Sequence, residues 1–240
     1  MTRVVISQPM YFPWPGFLAQ MAMADVWIWL DDAQFSKGSF TNRIQVKLDG
    51  GRRWMSVPLA GKGSFQRIAD LAESGGSWVA SHRALLDQSL RGQPHAACAM
   101  MLFDQVHQGQ GSLCDRLIAS AERMAEAMGI LPAQRLLASK MAVGGASSDR
   151  VRALVEAVSG TEYLTGHGAL SYLDHEGFEA AGIRVSYMDY RPDPWPQLHG
   201  DFTPYVTALD LLAAVTPSEA ASHLRPASLD WRSFKALRAS

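Results

Sequence analysis

The chain has 240 residues, of which 48% are hydrophobic and 19% charged, with a formal net charge of −1. That length and apolar share suit one large α/β domain or two small ones with a sizeable core. The charge balance excludes the electrostatic footprint of a general nucleic-acid or anionic-membrane binder, since basic clusters such as KLDGGRR are short and interrupted.

No stretch approaches the ~18 apolar residues of a membrane helix, and the start lacks a signal peptide's long apolar run. A soluble, cytoplasmic protein with no membrane partner is therefore expected. Cys98 and Cys114 have neither CxxC nor zinc-ligand spacing and read as structural thiols.

Residues 3–7 read as a short buried strand, broken by Ser7-Gln8-Pro9. Proline is tolerated in a helix's first turn, so Pro13 or Pro15 is expected to open the first helix, with Phe17, Leu18, Met21 and Ala22 as its apolar stripe. A second apolar run, 26–30, ends on Asp31-Asp32. Strand, loop, helix, strand is the layout of a βαβ unit, and its ligands bind at the carboxyl ends of the strands.

From Phe40 the period changes to two. Ile44, Val46 and Leu48, the turn Asp49-Gly50-Gly51 and the alternation around Trp54–Leu59 predict a β-hairpin. Residues 61–64 read as a loop and 66–71 as one more strand. Ser77 is expected to cap a helix at 78–90, followed by helices at 95–108 and 111–128, the last closed by Gly129. Met100, Met101, Met124 and Met128 read as core filler.

A short strand is expected at 136–138, a helix from Asp149, a strand at 162–164, a helix at 172–181, a strand at 183–187 and a helix at 205–215. Residues 192–204 are irregular and rich in aromatics and proline, and 217–240 read as peripheral. The fold class is α/β: a mostly parallel Rossmann-like sheet with a β-hairpin insertion and a helical segment. We expect a single domain over 1–240, with a hairpin-rich insertion at 40–72 and a helical subdomain at 77–129.

Four stretches carry candidate chemistry. Ser7, Gln8, Tyr11 and Trp14 lie in a proline-stiffened loop with hydrogen-bonding groups and flat surfaces. Carboxylates at a strand end, Asp31 and Asp32, suit hydroxyls, an amine or Mg²⁺. Asn42-Arg43 opens the hairpin, and a guanidinium suits phosphate or carboxylate. In Thr165-Gly166-His167-Gly168-Ala169 two glycines permit close backbone approach, and His167 is the best-placed general acid/base among the seven histidines. HExxH, GxSxG, Walker and zinc spacings are missing, so no metal site is expected.

The segments SQPMYFPWPGF, ADVWIWLDDAQFS, SFTNRIQVK and WMSVPL together resemble the WbqC-like protein family, whose opening is His-Gln-Pro-x-Tyr-x-Pro-Trp-x-Gly. The similarity continues in YLTGHGALSYLD, which adds Tyr172 to the binding set, and in GIRVSYMDY and HGDFTPYVTALDLL. It covers most of residues 3–215. Members look like enzymes of bacterial surface-polysaccharide or specialised-metabolite pathways. Trp78 and His82 resemble the family's W…H helix start, which gives His82 a catalytic claim. One departure matters: Ser7 stands where the family carries His, and a serine cannot do acid/base work at neutral pH without a neighbouring base.

The opening plan is also similar to adenylate-forming nucleotidyltransferases of the HIGH-motif superfamily, although the HxGH signature is missing. Lys140 in ALASKMAVGG resembles their later phosphate loop, which makes it a cofactor-binding candidate.

The leading expectation is a transferase or amide-forming enzyme acting on a small amine- or sugar-linked substrate. Its cofactor is unidentified, with a nucleotide or activated acyl donor in view, and aminoacyl-tRNA or a carrier is a candidate donor. Asp32, His167, Ser7 and His82 are the catalytic candidates. The rivals are a non-catalytic accessory protein of a biosynthetic pathway and an ATP-dependent adenylating enzyme.

Overall fold

The computed structural model describes residues 1–61 and 65–239; most of the loop expected at 61–64 thus lies outside the described residues. In chain order the elements are β1 (Arg3–Ser7), α1 (Pro15–Ala22), β2 (Val26–Trp29), β3 (Arg43–Leu48), β4 (Gly51–Ser56), α2 (Trp78–Leu90), α3 (Ala96–Gln108) and α4 (Leu113–Ala127). They continue with β5 (Gln134–Leu137), α5 (Ser147–Ala157), β6 (Glu162–Thr165), α6 (His175–Ala180), β7 (Arg184–Met188), α7 (Ala208–Ala214), α8 (Pro217–His223), β8 (Ser228–Asp230) and α9 (Trp231–Ala239).

Six strands form one sheet in the order β5-β2-β1-β6-β7-β8. Five are parallel, and β8 runs antiparallel to β7. Counting only this sheet's strands, the order is 3-2-1-4-5-6, that of the doubly wound nucleotide-binding fold. Growth of the sheet reverses direction between β1 and β6. The carboxyl ends of the parallel strands, Ser7, Trp29, Leu137, Thr165 and Met188, lie along one edge. The expected α/β class and mostly parallel sheet are what the structure has.

Side chains alternate between the two faces because the strand period is two. Val5, Trp27, Trp29, Leu164 and Met188 face a core shared with α1, α3, α4 and α7, and the hairpin adds Ile44, Val46 and Met55 to it. Val4, Ile6, Val26, Ile28, Tyr163, Val185 and Tyr187 face the other core, with Leu154 of α5, Phe178 of α6 and Phe234 of α9. Each such buried side chain contributes about 1.5–3 kcal/mol. Among the described residues no helix is long and apolar enough to cross a membrane.

Several elements differ from the sequence reading. Residues 66–71 form no strand: Ile68–Asp70 is a 3₁₀ turn, and Gln34–Arg67 and Leu59–Glu73 are isolated bridges. Ser77 occupies the N-cap position of α2, but its side chain makes no cap bond. Complete capping boxes open α4, where Ser112 and Asp115 satisfy each other's amides, and α8, where Thr216 and Glu219 do so. Met101 is 51% exposed, unlike the buried Met100, Met124 and Met128.

The helix expected at 172 begins at His175, because His167–Ser171 forms a 3₁₀ turn and Asp174 accepts from the Gly177 amide. The helix expected from 205 begins at Ala208, where Thr207 caps it. The C-terminal stretch is not peripheral. β8 extends the sheet, and Phe234 stacks on Tyr187 at 4.6 Å and 8°.

Candidate active site

The reversal point between β1 and β6 is where ligands bind in open α/β sheets. A cleft of about 420 Å³ lies beside it. Its lining includes Trp14, Gly16, Phe17 and Gln20 from α1 and its approach, and Gly166 and His167 after β6. Met188 ends β7, Tyr190 and Pro192 follow it, and Pro204, Tyr205 and Arg238 complete the wall.

Local sequence explains the shape. Pro15 opens α1 with a pre-set φ, and extended Trp14 turns back over the helix start. A Cβ on Gly16 would stand 2.3 Å from the Trp14 ring, so only glycine lets the indole lie there. Trp14 meets Tyr190 edge-on at 5.5 Å and Tyr205 at 6.0 Å, making a partial aromatic cage. A Cβ on Gly166 would come 3.6 Å from the Gln20 amide nitrogen, which shows how closely α1 approaches the end of β6.

The polar groups are few. His167 Nδ1 lies 2.6 Å from Arg238 Nη2, and Nε2 lies 3.0 Å from the Met188 carbonyl. A guanidinium only donates and a carbonyl only accepts, so Nδ1 carries the lone pair and Nε2 the proton. The ring rests on Phe234 at 4.9 Å. Among the described residues the buried Tyr190 hydroxyl has no hydrogen-bond partner, and burial pushes its phenol well above the usual range.

Of the residues singled out in the sequence, Trp14, Gly166 and His167 line this cleft, with Gly168 next in the chain. Ser7 ends β1, and its hydroxyl contacts the Gln8 carbonyl at 3.5 Å. Thr165 is buried and accepts from the Tyr163 hydroxyl at 3.2 Å. Tyr172 is 47% exposed just after the 3₁₀ turn.

The others lie elsewhere. Buried Asp31 accepts from the Ser139 amide at 2.9 Å and from the Ser139 hydroxyl, tying the end of β2 to the turn after β5. Asp32 pairs with Arg150 of α5. The two neighbouring carboxylates therefore diverge, as adjacent side chains at a strand end do. Lys140 is exposed in the turn Ala138–Lys140, beyond the sheet's far edge strand β5. Asn42 donates to the Val57 carbonyl, and Arg43 bonds the Ser39 carbonyl and covers Trp54 at 4.4 Å, so both serve the hairpin. Tyr11 and His82 meet in a separate buried cluster. The Cys114 thiol is pushed up to about 12, chiefly by burial, as a structural thiol would be.

Sequence reasoning did not single out Gln20, Tyr190, Tyr205 or Arg238. A signal existed for Tyr190 and Tyr205, which flank the aromatic- and proline-rich segment 192–204. Nothing local distinguished Arg238, which reaches the cleft only because α9 folds back over β7.

A model of the WbqC-like protein family matches residues 8–222. The chain is 32% identical over 233 residues to the uncharacterized protein Rv1507c of Mycobacterium tuberculosis, an alignment covering 94% of this chain and 98% of that protein. No solved structure matches. The prolines, Tyr11, Trp14 and Gly16 of the opening motif are thus those of the loop and helix start beside the cleft, and the chain belongs to the WbqC-like protein family.

Proposed function

We propose that this protein is a transferase of small-molecule biosynthesis that binds its substrates in the cleft at the carboxyl ends of β1, β6 and β7. The observation that carries this reading is the cleft's chemistry: four aromatic rings, Trp14, Phe17, Tyr190 and Tyr205, beside one guanidinium and one imidazole. Flat rings take a sugar or base face, and a guanidinium takes phosphate or carboxylate. The volume of about 420 Å³ falls within the roughly 300–1,000 Å³ of small-molecule sites. Such a pocket suits a donor activated by an anionic group and an amine- or sugar-linked acceptor.

His167 and Arg238 supply the chemistry in this reading. The donor's anion draws Arg238 away from His167 and so frees the Nδ1 lone pair. The Nε2–H bond to the Met188 carbonyl keeps the ring oriented. Nδ1 then takes the proton of the acceptor amine or hydroxyl as that group bonds to the donor's electrophilic carbon. The bond from that carbon to the leaving group breaks, and Arg238 holds the departing anion. Asp32 and Lys140, engaged or placed elsewhere, lend less support to a catalytic carboxylate or an adenylation step.

Melting-temperature shifts with nucleoside triphosphates, sugar nucleotides and aminoacyl-adenylate analogues test the reading. One class should stabilise the protein, by about 2.7 kcal/mol at 100 times its Kd. Arg238→Gln and Trp14→Ala should each weaken that ligand at least about tenfold, the ~1.4 kcal/mol scale of one charge-assisted hydrogen bond. No stabilising class, or equal affinity in Arg238→Gln, contradicts it. The Ser7 contact favours a second reading, an accessory binding protein, because among the described residues its hydroxyl has no base beside it. In that case a ligand binds but no turnover accompanies it.

A further inference from the structure

Tyr11, His82 and His107 converge from the loop after β1, the second turn of α2 and the last turn of α3. The phenol oxygen lies 3.1 Å from His82 Nδ1 and 3.2 Å from His107 Nε2. Tyr11 is 1% exposed and His82 7%, while His107 and Trp78 are half-buried at the rim. None of the three lines the cleft.

Two ring nitrogens share one phenol oxygen. His107 Nδ1 lies 2.8 Å from the Phe103 carbonyl, so it carries the proton and Nε2 presents a lone pair to Tyr11. In its other neutral tautomer, with the proton on Nε2, His82 presents a second lone pair from Nδ1.

Both contacts lie at the long end of the ordinary range of about 2.7–3.2 Å between nitrogen and oxygen. They sit near the spacing of about 3.3 Å between ligand atoms around a tetrahedral zinc with bonds of about 2.0–2.1 Å. The far nitrogen of His107 rests on the Phe103 carbonyl, the arrangement that orients metal-bound imidazoles.

We propose that Tyr11 Oη, His82 Nδ1 and His107 Nε2 form a binding site for a first-row transition-metal dication of the zinc type. The ion takes the place of the phenol proton, which leaves to solvent, and is held by one phenolate and two neutral imidazoles. A fourth position is left to solvent on the His107 side. Phe12 and Phe103, with ring centroids 5.8 and 4.2 Å from His107, shape the apolar wall. Among the described residues no group of three His, Cys, Asp or Glu side chains is placed to hold a metal; here tyrosine is the third donor. Arg116, whose charge reaches Tyr11 and His107, is itself paired with Glu73.

Titration of the full-length, chelator-treated protein with Co²⁺ tests the site. One Co²⁺ per chain is expected, with the intense visible bands of a four-coordinate ion, a phenolate signature in the ultraviolet difference spectrum, and displacement by Zn²⁺. His107→Gln, on the half-buried rim, should weaken uptake at least about tenfold with unchanged circular dichroism. Tyr11→Phe keeps the ring and both imidazoles, and should lose the phenolate signature and weaken uptake; it reads the site even where the other variant fails to fold. Absence of stoichiometric uptake, or uptake equal to wild type in a folded variant, overturns the proposal.

Discussion

Phe12 is held in a left-handed backbone conformation, φ 39°, between the Tyr11 cluster and the Trp14 cleft. A bulky residue there costs about 1–3 kcal/mol and persists only where its surroundings over-determine it. The surroundings are visible: its amide donates to Ser120 Oγ at 2.8 Å, and its fully buried ring stacks on Phe103 at 5.2 Å. Ser120 Oγ in turn donates to the Leu117 carbonyl at 2.7 Å. Ser120→Ala leaves the Phe12 amide buried and unpaired, and should lower stability by about 1–3 kcal/mol in urea unfolding. A loss under about 0.5 kcal/mol would show that α4 does not hold the loop's shape. The same scale accounts for Asp31 and Asp32, adjacent at a strand end and so turned to different sides, where Ser139 and Arg150 are their partners.

At the scale of elements, α9 is held to α6 by Glu179, which accepts from Trp231 Nε1 at 2.9 Å and from both guanidinium nitrogens of Arg232. Hydrogen bonds from Arg232 and then Trp231 push the Glu179 carboxyl down to about 2 from its ordinary 4.5. The folded form therefore binds its proton less readily than the unfolded form. The stabilisation is complete above pH 4.5 and is lost as pH falls toward 2. Glu179→Gln should flatten that part of the acid-unfolding curve followed by Trp231 fluorescence; a curve with the wild-type slope refutes the linkage.

Patterning made most elements legible: the strands at 3–7 and 26–30 are short continuous apolar runs, the hairpin shows a repeat of two, and α4 shows one of about 3.6. It could not show the 3₁₀ turn at His167–Ser171, because short turns leave no repeat. Nor could it show that β8, three residues long, pairs with β7. Trp14, Gly166 and His167 were legible because they sit at strand exits or helix starts. Arg43 and Asp32 show why position alone does not reveal a partner: a charged side chain near a strand end looks the same in sequence whether it meets a ligand, a carbonyl or Arg150.

The whole molecule places two polar regions on one sheet edge. One is the cleft beside β1, β6 and β7, with Trp14, His167 and Arg238. The other lies beyond β2 and β5, where Asp31 bonds Ser139 and Asp32 pairs with Arg150. In the function proposed above, substrate binds in the first, at the reversal of the sheet.

Hydrogen–deuterium exchange with and without a stabilising ligand separates them most directly. Added protection should concentrate at residues 14–20, 166–168, 188–192 and 204–205. Protection confined to 31–33 and 139–150, with the cleft segments unchanged, would contradict the account.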